Sequence, residues 1–212
     1  MKELDVRLAL HNYLKNEMFR SSPDSLIVDE LGLIEGSFRI DLAVLNDKLH
    51  GFEIKSPMDN LLRLPAQQQT YSKIFDKMTI VCAEKYVEQA VGMIPQWWGL
   101  VSISRRDNEV FLNEIWPSRQ NYNIEPFHIC QLLWREEALA VLKEHGMDYG
   151  FRTKGRRYMW KALAKELSLD DIRKAVKQKL SKRVGWRDTM QYCIPDDPTD
   201  DYFIEIGAAM TV

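Results

Sequence analysis

Residues 38–55, with the sequence FRIDLAVLNDKLHGFEIK, decide the fold of this chain. The last seven of them alternate between apolar and polar after the glycine, which is the pattern of a half-buried strand. Asn46-Asp47-Lys48 joins them to the preceding run as a short hairpin. Side chains two apart on a strand point to one face, so Glu53 and Lys55 share one side. Folding the hairpin can bring Asp41 beside Glu53.

Two carboxylates and a lysine on rigid strands suit the metal-assisted hydrolysis of phosphodiesters. Asp41 and Glu53 can hold a hard divalent cation, with waters and a substrate phosphate completing its shell. Such a cation polarises the phosphoryl oxygen and acidifies a bound water, which becomes the nucleophile. Lys55 can orient that water or stabilise the charge that develops in the transition state.

This grouping resembles the signature of the PD-(D/E)XK nuclease superfamily, whose fold is called restriction-endonuclease-like. That signature is an acid on the second strand and acid-x-Lys on the third, matched by Asp41, Glu53 and Lys55. The proline that often precedes the first acid is replaced by Ile40. The resemblance implies an α/β fold with an αβββαβ core and a mixed sheet. It also implies Mg²⁺ (or Mn²⁺) as cofactor, held by Asp41, Glu53 and the Ile54 carbonyl, with Lys55 positioning the nucleophile.

A second element follows the lysine. Gln67 and Tyr71 lie one turn apart on one face of a predicted helix. Alone, this pattern favours a polar helix with one aromatic side chain packed on the sheet. After Glu-x-Lys it resembles the Gln-x3-Tyr element of the RecB-like and lambda-exonuclease-like branches, which implies that both side chains bind DNA beside the active site. The strings VDELGL, RIDLAV, HGFEIKS, RLPAQ, YSKIFD and QWWG are similar to a poorly characterised bacterial branch of predicted nucleases.

The first predicted strand supplies a candidate for completing the metal site. Many members of the superfamily carry an additional acid on the first helix or near the first strand. Glu30, at the end of the strand and opposite Asp41, is that candidate here, and Asp29 competes with it. The alternative is a carboxylate that faces solvent at the end of a strand.

Composition predicts a cytoplasmic protein with no membrane partner. The 212 residues are 45% hydrophobic and 28% charged, enough for one core plus a small appended module. The three cysteines are widely spread, which argues against a disulfide framework and a zinc site and favours a reducing compartment. No stretch approaches membrane-spanning length, and the ten glycines form no phosphate-binding loop.

Periodicity and charge divide the chain into three parts: a core at 1–116, a helical and basic C-terminal module at 117–190, and an acidic tail at 191–212. The resemblance implies that the core is nuclease-like. In the core it predicts helices near 3–18, 60–75 and 84–94 and strands near 25–31, 38–45, 49–55, 77–83, 98–104 and 110–116. In the module it predicts one helix at 127–145, a second at 154–167, and a third that Ser168 caps and that runs toward Arg183.

Charge is concentrated in the C-terminal module. Residues 151–190 hold thirteen Lys or Arg and four Asp or Glu, although the whole chain has a net charge of −2. Clustered cations suit contacts with nucleic-acid phosphates, so Arg156 and Arg157 are predicted to bind DNA. The alternative is a solvated face of a small bundle. The acidic tail could be disordered, fold against the basic patch or bind a protein partner.

Together these features predict a Mg²⁺-dependent deoxyribonuclease that acts in repair, recombination or phage defence. One rival is a catalytically silent DNA-binding or scaffold protein on the same fold. The presence of all three of Asp41, Glu53 and Lys55 favours the enzyme. A second rival places the function in the C-terminal helices, as a partner-binding module on a structural core.

Overall fold

A computed structural model describes residues 1–18, 24–107 and 109–183, and the backbone of Tyr192–Cys193. Its centre is a mixed seven-stranded sheet in the order β6-β5-β4-β3-β2-β1-β7, and helices follow it in the chain, which confirms the predicted α/β class. The strands are β1 (Leu26–Leu33), β2 (Phe38–Leu45), β3 (Leu49–Lys55), β4 (Lys77–Ala83), β5 (Gly99–Arg106), β6 (Glu109–Trp116) and β7 (Tyr192–Cys193). The helices are α1 (Glu3–Met18), α2 (Leu64–Tyr71), α3 (Val87–Val91), α4 (Pro126–Cys130), α5 (Arg135–Glu144), α6 (Arg156–Glu166) and α7 (Leu169–Ser181).

Strands β1, β2 and β3 form an antiparallel meander, and β3, β4 and β5 run parallel. Since parallel neighbours need a crossover, the chain passes from β3 to β4 through α2, as the sequence predicts. Six of the seven residues of β4 are buried, as expected for a parallel strand covered on both faces. Among the described residues, no helix is long and apolar enough to cross a membrane.

Two hydrophobic clusters cover the sheet. Val6, Leu10 and Leu14 of α1 belong to the first, together with Phe52 and Ile54 of β3. The second and larger cluster combines the sheet with α2 and with the helices of the C-terminal module. Its members include Leu64, Ile80, Val141, Trp160 and Val176. The C-terminal helices therefore share a core with the sheet.

The single helix predicted for 127–145 is wrong, because the chain forms two helices there, α4 and α5. The break falls at Leu132 and Leu133, which are both buried. Trp160 Nε1 donates to the Leu133 carbonyl at 3.0 Å, and Arg183 Nη2 donates to the Leu132 carbonyl at 2.6 Å. These side chains satisfy carbonyls that a continuous helix would have used internally.

The helix predicted for 60–75 is shorter than expected. Helix α2 begins at Leu64 because Pro65 occupies its first turn, where the missing N–H costs nothing. The helix predicted for 84–94 begins as a 3-10 turn at Glu84–Tyr86, and α3 covers only Val87–Val91.

A buried ion pair joins α7 to the sheet. Asp76, fully buried before β4, accepts a hydrogen bond at 3.0 Å from Arg173 Nε, whose residue is 4% exposed. The same carboxylate accepts from the Leu49 N–H at 2.9 Å and from Gln120 Nε2 at 3.1 Å. One carboxylate thus connects β3, the 117–126 segment and α7.

Candidate active site

The register of the first three strands aligns the predicted acids. In β1 and β2, Asp29 pairs with Leu42 and Leu31 pairs with Ile40, so Glu30 stands across from Asp41. In β2 and β3, Leu42 pairs with Phe52, which places Asp41 next to Glu53 across the following strand. The three carboxylates therefore lie in one row over three neighbouring strands, hereafter the acid row (Glu30, Asp41, Glu53).

In β1 and β2, the alternation of side chains between the two faces of the sheet shifts by one residue at the acid row. Val28 and Leu31 are three apart, yet both belong to the larger hydrophobic cluster, and the same holds for Ile40 and Ala43. Glu30 has a φ of 53°, in the left-handed region that costs an L-residue about 1–2 kcal/mol. Such strain persists where the surroundings over-determine the backbone, and it concentrates at functional sites.

Glu53 is the centre of a buried hydrogen-bond network and is only 2% exposed. Lys55 Nζ donates to Glu53 Oε1 at 2.6 Å, and Gln67 Nε2 donates to the same oxygen at 2.5 Å. The Tyr71 hydroxyl lies 2.9 Å from both Glu53 Oε2 and the Arg39 carbonyl, so it can donate to either. The structure thus brings the predicted Gln-x3-Tyr side chains into direct contact with the predicted acid.

Asp41 is fixed by the backbone of the neighbouring strand. The Ile54 N–H donates to Asp41 Oδ2 at 2.6 Å. Burial, reinforced by repulsion from Glu53, raises the pKa of Asp41 to about 8. Burial also raises the pKa of Glu53. Ile54, predicted to offer its carbonyl to a metal, contacts Asp41 through its N–H.

A second group of acids surrounds Asp41. Glu3, Glu30 and Asp41 each place a carboxylate oxygen within 4.8 Å of the other two. Arg7 is hydrogen-bonded to both Glu3 and Glu30, and Arg39 Nε lies 2.6 Å from Glu30 Oε2. The sequence did not predict a role for Glu3. The available signals were its position as an acid on the first helix and its i,i+4 spacing to Arg7.

The competing acid, Asp29, lies elsewhere. Both of its carboxylate oxygens are 3.0 Å from His11 Nε2 of α1, and both residues are buried. Of the two candidates on β1, Glu30 is therefore the one beside Asp41.

The donor set fits a hard divalent cation. Three carboxylates at mutual distances under 4.8 Å offer the oxygen ligands that Mg²⁺ and Mn²⁺ prefer. Burial is the main cause of the raised pKa of Asp41, and a bound cation would favour the ionised carboxylate. The buried Gln67 Oε1 also has no hydrogen-bond partner in the described part of the chain. An acceptor without a donor is costly, and it leaves a place for a water or a ligand.

The two predicted DNA-binding arginines lie on α6, and neither contacts a carboxylate of the acid row among the described interactions. Arg156 Nη2 forms an ion pair at 2.9 Å with Glu35, in the turn between β1 and β2, and stacks over the Trp160 ring. Arg157 is exposed. The proposed acidic tail lies outside the described residues apart from the backbone of 192–193.

Comparison with known proteins places the chain in a family. A family model described as Bacteriophage P4 protein cII matches residues 1–192, a range that includes the acid row and α6. The chain is 30% identical over 183 residues to "Protein cII" of Enterobacteria phage P4, which covers 86% of this chain and 68% of that relative. No solved structure matches the chain. The chain therefore belongs to the Bacteriophage P4 protein cII family.

Proposed function

We propose that this protein is a metal-dependent nuclease that hydrolyses DNA phosphodiester bonds. The observation that carries the proposal is the contact of Lys55 with Glu53 at 2.6 Å, one strand away from Asp41. An acid-x-Lys pair next to a second carboxylate supports the resemblance to the PD-(D/E)XK superfamily in space as well as in sequence. Gln67 and Tyr71, which hold the same carboxylate, support it independently.

Electrostatics support a catalytic role for these groups. The buried Glu53 and the partly buried Asp41 share one lysine, and burial raises the pKa of both carboxyls, so ionisation of both at once is unfavourable without a further cation. Ionisable groups perturbed in this way are typical of functional sites. A bound divalent cation would stabilise the ionised carboxylates and would also attract the anionic phosphate of a substrate.

Each side chain has a distinct task in this proposal. Asp41, with Glu3 and Glu30, would hold Mg²⁺, which when bound supplies Lewis-acid polarisation and an acidified water. Gln67 and Tyr71 fix Glu53, and Glu53 in turn fixes Lys55. Since an ammonium has three N–H donors and Glu53 takes one, Lys55 can direct another at the nucleophilic water or at a phosphate oxygen.

The test is a panel of labelled single-stranded and duplex DNA and RNA, incubated with Mg²⁺ or Mn²⁺. Cleavage of DNA by the parent should fall at least about a hundredfold in Lys55→Ala and in Glu53→Gln. Lys48→Ala is the matched control, since Lys48 precedes the same strand about 23 Å away. Parent protein that cuts no DNA with either metal, or variants that cut as fast as the parent, would refute the proposal.

A catalytically silent DNA-binding protein on the same fold is the second candidate. One observation favours it: Arg7 and Arg39 already neutralise Glu30. Manganese binding, followed by electron paramagnetic resonance, separates the two candidates. The nuclease proposal expects the parent to bind Mn²⁺ and Asp41→Asn to lose that binding, whereas the silent protein would show no dependence on Asp41.

A further inference from the structure

Helix α6 has one face that packs and one that does not. Met159, Trp160 and Leu163 are buried in the larger hydrophobic cluster. The opposite side, hereafter the outer face of α6, is exposed. It consists of Arg157, Tyr158, Lys161 and Lys165, which recur at helical spacing.

The cations of the outer face are available to a ligand. Within the described part of the chain, neither Arg157 nor Lys161 forms an ion pair, and Lys165 meets its exposed neighbour Glu166 at 2.9 Å. Three other cations of the C-terminal module have buried or cross-helix partners: Arg173 binds Asp76, Lys179 binds Glu144 and Arg183 binds Glu137. The outer face therefore keeps two cations, Arg157 and Lys161, that form no ion pair among the described residues.

A groove with an apolar floor runs beside these cations. Its volume is about 480 Å³, and its charged lining consists of Arg157, Lys161 and Lys165 with one acid, Glu125, which pairs with His128 and Lys73. Phe127 and Ala164 contribute apolar surface to its floor. Cations along an apolar groove suit a ligand that carries both regular negative charge and flat apolar groups.

Exposed aromatic rings lie on α6 and in the segment that precedes it. Tyr158 is 63% exposed and carries Lys154 Nζ 5.7 Å from its ring centroid. Tyr149, just before the segment that leads to α6, is 98% exposed. Rings beside cations are the features that bind single strands, because unpaired bases stack on aromatic side chains while phosphates meet Lys and Arg. Duplex DNA keeps its base faces stacked inside and would leave these rings unused.

The outer face is tied to the acid row. The ion pair between Arg156 and Glu35 attaches the start of α6 to the turn between β1 and β2. Glu35 is five residues from Glu30, so the chain between them can span no more than about 18 Å. We infer that the outer face of α6, with its groove and Tyr149, binds single-stranded DNA and delivers it to the acid row. This inference rests on the proposed function for its choice of DNA.

The test measures binding by full-length protein in EDTA, where hydrolysis cannot interfere. Fluorescence anisotropy would follow a labelled single-stranded DNA, the same sequence as a duplex, and the same sequence as RNA. The variants are Arg157→Glu with Lys161→Glu, Tyr158→Ala, and the control Lys174→Glu, an exposed lysine on α7. Thermal melting verifies that each variant is folded.

Single-stranded DNA should bind more tightly than duplex or RNA. The double charge reversal should weaken it at least about tenfold and flatten the slope of log K against log salt by about 1.4. Tyr158→Ala should weaken binding about fivefold or more, and Lys174→Glu should leave it unchanged. Equal affinity for duplex, preference for RNA, an equal loss in Lys174→Glu, or binding of poly-glutamate in place of DNA would overturn the inference.

The outcome separates this inference from the proposed function. If Mg²⁺-dependent cleavage requires Lys55 but binding ignores the α6 variants, the nuclease stands and the outer face is not its DNA-binding surface. If the α6 variants weaken DNA binding but the parent cuts no substrate, the inference about the outer face is supported and the proposed nuclease activity is refuted.

Discussion

Strand β3 has a site with buried charged side chains at each end. The two sites differ in how far the carboxylates are paired with cations of the chain. At its start, the buried Asp76 pairs with Arg173, which also pairs with the exposed Asp170, and the Asp76 carboxylate accepts from Leu49 and Gln120 as well. At its end, Asp41 and Glu53 face a single lysine, and burial raises the pKa of both carboxyls. At the first site the buried carboxylate is paired and hydrogen-bonded. At the second, burial disfavours the ionised form of both carboxyls, and the Gln67 amide oxygen has no hydrogen-bond partner among the described residues.

The difference separates a structural role from a functional one. A buried charge that is matched within the chain needs nothing more, and its contribution is to the fold. A buried carboxylate without enough compensating cations destabilises the free protein. Such a group is typical of a site where a bound ligand supplies the missing positive charge. The two ends of β3 should therefore respond to mutation in opposite directions.

The largest effect on stability is expected at the start of β3, where Asp76 pairs with Arg173. Arg173→Ala should lower the free energy of unfolding by about 3–5 kcal/mol, because it leaves the Asp76 carboxylate buried and unpaired. Urea denaturation measures this change, with the exposed Arg152→Ala as a control expected to stay within about 0.5 kcal/mol. A loss under about 1 kcal/mol for Arg173→Ala would remove the structural half of the comparison.

Tyr71 belongs both to the hydrophobic core and to the site at the end of β3. Its ring is fully buried and packs near Phe75 and Trp98, whereas its hydroxyl serves Glu53. Tyr71→Phe keeps the ring and removes one donor, so it should cost about 1–3 kcal/mol of stability. Chemical denaturation would detect this loss. A stability equal to that of the parent would show that the hydroxyl contributes nothing to Glu53.

Asp41→Asn should act in the opposite direction and stabilise the metal-free protein. The folded state keeps a proton on Asp41 up to about pH 8, whereas the unfolded chain releases it near pH 4. The folded state thus binds more protons in that window, and parent stability falls as pH rises through it.

Asparagine removes this pH dependence and can still accept from the Ile54 N–H. The variant should gain stability over the parent as pH rises from about 4 to 8. The gain should reach about 1–2 kcal/mol, a value discounted for the partial exposure of Asp41. Melting curves in EDTA across this range measure it, and saturating Mg²⁺ should reduce the gap by stabilising the parent alone. Parallel curves for the two proteins would contradict the prediction.

The smallest effect is expected at the rim of the acid row. The Arg39 side chain is mostly exposed, so its ion pair with Glu30 is screened by water. Arg39→Ala should change the free energy of unfolding by no more than about 0.5 kcal/mol, whereas Arg7→Ala, from a side chain largely buried between two acids, should cost more. Reversal of this ranking in denaturation experiments would place the main clamp of Glu30 at Arg39.

Much of the sheet was predictable because its signals are local. Strands β2, β3 and β4 begin and end where hydrophobic pattern and turn residues place them. The pairing of Asp41 with Glu53 in the acid row follows from a short hairpin, whose register is set by its turn. Glu53, Lys55, Gln67 and Tyr71 come together for the same reason, since α2 follows β3 directly and returns over it.

The remaining features depend on contacts between distant segments. From the sequence, Arg173 and Arg183 are predicted to belong to the basic surface of residues 151–190. In the structure both side chains are buried against acids from other elements. The break between α4 and α5 is stabilised by Trp160 and Arg183, which no local period reveals. Glu3 joins Asp41 only because α1 packs across the first strands.

The ion pair of Asp76 with Arg173 also sets an order of events during synthesis. The two residues are 97 positions apart, so at about 5–20 residues per second the cation emerges about 5–20 s after the carboxylate. Until then the sheet holds an acid whose charge has no partner, and the apolar side chains that later meet α5, α6 and α7 face water. A nascent or truncated chain ending near residue 116 would therefore be a natural client for chaperones, and the finished sheet is a product of the whole chain.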